Sequence, residues 1–142
     1  MQPKGCVFCD IVNGTTPAEV LYENEHALAV LDIHPIHYGH TLIIPRRHCK
    51  DFIDVPCETY HSLFLAANVV SRALVERLGA EGYNIFSNNG LIAGQSVFHF
   101  HLHVTPRYPD DNIRFILKLK SYADGEMKRT GNTLREHIHQ VA

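Results

Sequence analysis

With 142 residues the chain is one domain's worth, enough to bury about two thirds of its unfolded surface around a single core. A net charge of -2, with no block of like charge, excludes the broad basic footprint of a nucleic-acid binder. No stretch approaches the roughly 18 apolar residues of a membrane span and no apolar segment follows a basic start, so neither a membrane association nor a signal peptide is expected and the chain is read as cytoplasmic.

Four cysteines, Cys6, Cys9, Cys49 and Cys57, are not expected to form a disulfide framework in a reducing compartment. The close pair Cys6-Val-Phe-Cys9 reads instead as a metal half-site or a redox motif, and Cys49 and Cys57 as buried or incidental thiols. A short helical turn is predicted over 10–13, ended by Gly14. Residues 20–23 and 27–33 run apolar or alternate about Asn24-Glu25, the pattern of a hairpin. A Pro/Gly loop over 34–39 leads into a buried strand at 41–45, stopped by Pro45.

Asp54 is a candidate cap for a long helix with Pro56 in its first turn, because Leu63, Ala67, Val70, Leu74 and Leu78 recur at helical spacing up to Gly79. A strand follows at 83–87, a Gly/Asn-rich loop at 88–95, and a histidine-bearing strand at 96–106. Past Tyr108 the chain is charged and weakly patterned, with a final helix predicted over 133–140. Five strands clustered about one long helix and shorter ones give an α+β fold with an antiparallel sheet. Residues 1–108 are expected to form the domain, and 109–142 a C-terminal extension whose helix packs on or beside it.

The segment Phe98-His-Phe-His-Leu-His-Val104 carries the chemistry. Alternation of period two sends Phe98, Phe100, Leu102 and Val104 to one face and His99, His101 and His103 to the other. Histidine titrates near neutrality, so the three can supply a nucleophile, a proton donor or metal ligands. At a rise of about 3.3 Å per residue, His99 and His103 stand roughly 13 Å apart, too far for one zinc to gather all three on a straight strand. Labour should therefore divide: an end histidine serves one site, and the middle one with its other neighbour serves a second. The scattered His61, His137 and His139 are read as ordinary polar residues. In the preceding loop, Asn88, the Gly94 backbone and Ser96 can donate to an anion, although the ending of a Walker loop is absent.

These motifs resemble the signature of the histidine triad (HIT) family of nucleotide hydrolases and transferases, in its Hint-like, zinc-binding bacterial form. Gly94-Gln-Ser-Val97 before the histidines, Cys6-Val-Phe-Cys-Asp-Ile11, Leu31-Asp-Ile33 and His40-Thr-Leu-Ile-Ile-Pro45 followed by His48 all agree, over residues 5–108. The resemblance implies a HIT-like fold, a purine nucleotide substrate and a homodimer. His101 matches the nucleophile that attacks the α-phosphate of a phosphoramidate or dinucleoside polyphosphate, forming a covalent nucleotidyl-histidine with its other ring nitrogen held by a backbone carbonyl. His103 matches the α-phosphate ligand, Ser96 the hydroxyl near the leaving group, and His40 a histidine packed beside the triad. Asp32 matches the acceptor of the ribose hydroxyls, with Val7, Phe8, Ile11, Ile33 and Leu42 as walls for the base. Asn88 and Gly94 complete the phosphate side.

The same resemblance closes the half-site into a structural zinc centre of Cys6, Cys9, His48 and His99. A nucleotide-binding regulatory or scaffold protein with little turnover is the alternative from another class. A metalloenzyme in which the histidine strand holds a catalytic ion is a third reading. The C-terminal part departs from the Hint pattern: the chain has no tryptophan, so that branch's tryptophan-bearing tail has no counterpart. Leaving-group preference is then expected to fall to Arg107 or the 109–142 extension.

Overall fold

Continuous apolar runs in two neighbouring strands, over 27–31 and 41–45, let one sheet serve two different layers. The strands are β1 (Val20–Glu23), β2 (Ala27–Leu31) and β3 (Thr41–Pro45), joined by β4 (Gly82–Phe86) and β5 (Leu102–Arg107) in the antiparallel order β1-β2-β3-β5-β4. The computed structural model describes residues 5–141, so the outermost ends of the two predicted regions, 1–4 and 142, lie outside the described residues. Helices α1 (Val7–Val12) and α2 (Cys57–Leu78) cover the sheet, and α3 (Glu126–Val141) follows at the C-terminal end.

On β2, Ala27 and Ala29 face one buried cluster while Leu28 and Val30 face another. The first cluster holds Ile43, Leu102, Val104 and the apolar stripe of α2, from Leu63 to Leu74. Small alanines on that face leave room for a long helix packed across the sheet. Truncating fully buried Leu63 to Ala is expected to cost about 2–5 kcal/mol. The second cluster gathers Leu42 and Ile44 with Phe8 of α1 and the flanking Ile11 and Ala18. His103 pairs with Leu42 across β3 and β5, which turns its ring toward the α1 side. One face of the sheet therefore builds core, and the other builds the site.

The hairpin forms as read: Asn24 accepts from the His26 and Ala27 backbone N–H groups, and its own N–H donates to the Ala27 carbonyl. Its second strand stops at Leu31, where Asp32 begins a loop tied back to His40. The early helical turn begins three residues sooner than predicted, because the Cys6 sulfur accepts from the Cys9 N–H and caps α1 at Val7. Asp54 does not cap the long helix. It lies in a 3-10 turn, Phe52–Asp54, capped by Asp51, and α2 starts after Pro56. Gly79 ends α2 in the left-handed region at φ 65°.

The histidine strand is shorter than its pattern. Only residues from Leu102 onward are regular, since the His99 carbonyl is taken by the His101 ring and the Phe100 N–H by the Cys49 carbonyl. Phe98 consequently leaves the core and is 42% exposed, while Phe100, Leu102 and Val104 stay inside as expected. The final helix is twice as long as predicted. Glu126 caps its entry by accepting from the Ala123 N–H, and α3 buries none of its described residues. No described helix is long and apolar enough to cross a membrane.

Candidate active site

A cleft of about 430 Å³ opens on the α1 side of the sheet. It is lined by Val7, Phe8 and Ile11 of α1, by Asp32, Ile33 and Leu42, and by Ser96, His101 and His103. The structure thus brings together nine of the residues singled out from sequence. Val30, Pro17, Ala18, His34 and Val97 also line it. Val30 could have been anticipated, since it pairs with Leu42 and shares its face. Pro17 and Ala18 sit in the loop after α1, and nothing local marks them as a wall.

Burial sets the protonation of the histidines, and neighbouring backbone groups set their tautomers. The His101 ring is 6% exposed and lies edge-on to Phe8 with ring centres 5.0 Å apart. Its Nδ1 is 2.8 Å from the His99 carbonyl, which can only accept, so Nδ1 carries the proton and Nε2 keeps a lone pair. Desolvation lowers the His101 pKa, which keeps that lone pair free at neutral pH.

His103 is arranged the opposite way. The Ile36 N–H donates to His40 Nδ1 at 3.1 Å, so His40 Nε2 holds the proton and donates to His103 Nδ1 at 2.9 Å. His103 Nε2–H is then left as a donor on a ring that lines the cleft. Burial, reinforced by the neighbouring His101 and His40, lowers the His103 pKa to about 4. His40 is itself buried and shifted down by desolvation. Its Nδ1 stands 3.6 Å from Asp32 Oδ2, but the lone pair used by Ile36 makes this a contact with a neutral ring rather than an ion pair. The other Asp32 oxygen accepts from the His34 N–H at 2.8 Å and fixes the loop. The His103 ring stacks on Phe86 at 4.6 Å.

Asn88 and Gly94 come together outside the cleft lining. Gly94 has φ 87°, and a Cβ there would stand 3.6 Å from Asn88 Nδ2. His40 does not line the cleft either, and it reaches the site only through His103. Arg107 is held by Asn84, both Asp111 oxygens and the Ile113 carbonyl, so its guanidinium serves the start of the extension instead of the cleft.

Behind the cleft, Cys6, Cys9, His48 and His99 offer four donor atoms within 4.8 Å of one another. Their closest separations are 3.3 Å for His48 Nδ1 to His99 Nδ1 and 3.4 Å for each cysteine sulfur to its nearest histidine. A tetrahedral zinc with Zn–N near 2.1 Å and Zn–S near 2.3 Å would hold such pairs about 3.4–3.6 Å apart. His99 Nε2 donates to the Pro45 carbonyl at 2.9 Å, which turns the Nδ1 lone pair toward the cluster. The donor set therefore fits a zinc ion. Without a metal, burial and Cys6 push the Cys9 thiol up to about 11, and burial lowers the His99 pKa to about 4. Asp32, His40 and His103 also cluster, but the 2.9 Å contact between the two rings is a hydrogen bond, shorter than the roughly 3.4 Å between two nitrogen ligands of a tetrahedral zinc.

Comparison with known proteins places this arrangement. The family model described as "HIT domain" matches residues 13–110. A protein of Arabidopsis thaliana named "Adenylylsulfatase HINT3" is 33% identical over 136 residues, covering 94% of this chain and 69% of the relative. A HIT family crystal structure from Bacillus subtilis aligns with TM-score 0.88 and 34% identity, over 94% of this chain and 96% of that one. A crystal structure described as a Zn-bound histidine triad family protein from Mycobacterium smegmatis has TM-score 0.72 and 42% identity, covering 96% and 95%.

Proposed function

The chain belongs to the HIT family, in its Hint-like form, and from that premise we propose that it hydrolyses a purine nucleotide derivative at the α-phosphate through a covalent nucleotidyl group on His101. The observation that carries the reading is the locked His101 ring, with Nδ1–H bonded to the His99 carbonyl and Nε2 free on the wall of the cleft. Its Nε2 lone pair forms a bond to the α-phosphorus as the bond to the leaving group breaks and the electron pair departs with that group, on a phosphate oxygen as an anion or, in a phosphoramidate, on a nitrogen that takes a proton from solvent and leaves as the neutral amine. Water then attacks the phosphorus, the P–N bond breaks, the pair returns to Nε2, and a proton goes to solvent. Two easier displacements replace one hard one.

His103 Nε2–H donates to an α-phosphate oxygen, and His40 keeps that proton in place from behind. Fixed donors of this kind stabilise the charge spread over the transferring phosphoryl group. Ser96 adds a hydroxyl near the leaving atom, and Asn88 with the Gly94 backbone supports the phosphate side. Asp32 takes the ribose hydroxyls, while Val7, Phe8, Ile11, Ile33 and Leu42 enclose the base. Phosphoramidates and dinucleoside polyphosphates are the substrate classes. Cys6, Cys9, His48 and His99 hold a structural zinc, which supplies cross-linking of α1, the end of β3 and the residues before β5, and no chemistry. The active form is a cytoplasmic homodimer, consistent with the unpaired edge of β4 and the uncovered apolar side of α3.

Incubation with adenosine 5′-phosphoramidate tests the proposal: AMP release is expected, and His101→Ala should abolish it. Nucleotide binding that persists in wild type without AMP release would replace this reading with that of a regulatory binder.

A further inference from the structure

A second cleft, of about 500 Å³, borders the first. It is lined by Gly5, Cys6, His48, Lys50 and Phe98, and it shares Val7, Ser96 and Val97 with the nucleotide cleft. Two of its walls are chemically distinctive. Phe98 is the one aromatic of the histidine run expelled from the core, and its ring carries the Lys50 ammonium 5.9 Å from the centre. An exposed phenyl ring costs free energy in water that a stacked ligand can recover. Among the described lining residues there is no carboxylate.

The position of Lys50 relative to Ser96 is fixed, even though its side chain is exposed. Gln95, only 2% exposed, donates from Nε2 to the Lys50 carbonyl at 2.7 Å and to the Val97 carbonyl at 3.1 Å, and accepts the Gly90 N–H at 2.8 Å. The next peptide along is tied as well, the Phe100 N–H donating to the Cys49 carbonyl at 2.7 Å. A buried amide thus clamps the segment carrying Lys50 to the loop carrying Ser96. Arg107, the expected determinant of leaving-group preference, is occupied elsewhere.

We propose that this second cleft is the leaving-group subsite, and that it takes a nucleoside phosphate: Lys50 meets the phosphates and Phe98 stacks the second base. The proposal rests on the assignment of the first cleft to the nucleotide under attack, with Ser96 on the border between the two. In the displacement, Nε2 of His101 bonds to the α-phosphorus while the bridging P–O bond breaks, and the electron pair leaves on the oxygen of a nucleoside phosphate. That group departs as an anion and needs no proton. A cation beside it favours the departing charge more than the bound substrate, and so favours the reaction.

The test compares wild type, Lys50→Ala, Lys50→Glu and Phe98→Ala on diadenosine triphosphate, whose leaving group is ADP, and adenosine 5′-phosphoramidate, whose leaving group is ammonia. The ratio of kcat/KM for the triphosphate to that for the phosphoramidate should fall by about five-fold or more in Lys50→Ala and further in Lys50→Glu. It should fall in Phe98→Ala as well. An unchanged ratio overturns the subsite, as does wild type that cleaves the phosphoramidate alone. Calorimetric titration in the His101→Ala background covers the case in which neither compound is cleaved. Lys50→Glu should then weaken diadenosine triphosphate more than AMP, and equal weakening overturns the subsite. Cleavage failure alone counts against the nucleophile, and binding failure alone counts against Lys50 and Phe98.

Discussion

The two ends of the histidine run differ in what surrounds them. At one end the His99 ring is wholly buried and bonded to Pro45, and it faces two sulfurs and another ring. At the other, His103 is partly open and stacked on Phe86, and it accepts a hydrogen bond from His40. Between them, His101 donates from Nδ1 to the His99 carbonyl and presents its Nε2 lone pair on the other side of the ring. Two residues apart, His99 and His101 expose opposite ring nitrogens, because a backbone carbonyl takes Nε2 of the first and Nδ1 of the second.

The contrast breaks most visibly at the centre. His101→Ala should lower turnover by about 10³-fold or more while leaving the melting temperature and metal content near wild type. Steady-state kinetics and scanning calorimetry read both. At the buried end the expectation reverses. Cys9→Ser should abolish stoichiometric zinc and lower the melting temperature by about 10 °C, the scale for losing a ligand held far above its Kd. Residual turnover should persist, because the variant keeps His101 and its bond to the His99 carbonyl. Chelation that eliminates turnover while the melting temperature stays constant would instead favour a catalytic ion.

Much of this division was legible in the sequence, and the part that was not depends on contacts between distant segments. The period-two run correctly put Phe100, Leu102 and Val104 inside, and the spacing of His99 and His103 anticipated that the two rings have different surroundings. The pattern could not reveal that His101 would take the His99 carbonyl, or that Cys49 would take the Phe100 N–H. Those two bonds shorten the strand and push Phe98 out. Gln95 read as one more polar residue in a loop, since its value lies in a carbonyl 45 positions away. The start of α1 was missed for a related reason: a cysteine sulfur acts as its cap, where a hydroxyl or carboxylate is the usual signal. Asp54 offered that usual signal for α2, but α2 starts after Pro56 with no side-chain cap, and Asp51 caps only the short turn that holds Asp54. In the extension, the exposed apolar residues of α3 formed too sparse a stripe to define the whole helix.

Smaller effects sharpen the comparison at the open end. Asp32→Asn keeps an acceptor for the His34 N–H and removes the charge, so it should raise KM by about ten-fold with little change in melting temperature. Acid should act more gradually. His103 and His40 have folded pKa values below the ordinary histidine value of 6.5, so the unfolded chain binds protons first as pH falls. Their contribution to stability is intact above about 6.5 and is lost as pH drops toward about 4. Urea titrations at pH 7.5 and 5 should show the loss, and His103→Gln should reduce it. A pH dependence identical in that variant would contradict the assignment.

The most direct test of divided labour is one native mass spectrum of the protein caught during turnover of adenosine 5′-phosphoramidate, with the adduct mapped by peptide sequencing. The expected result is one zinc and one adenylyl group on the same chain, the adenylyl on His101. Zinc should be lost in Cys9→Ser and the adenylyl in His101→Ala, each independently of the other. An adduct on His99 or His103, or zinc that disappears with His101, would contradict it.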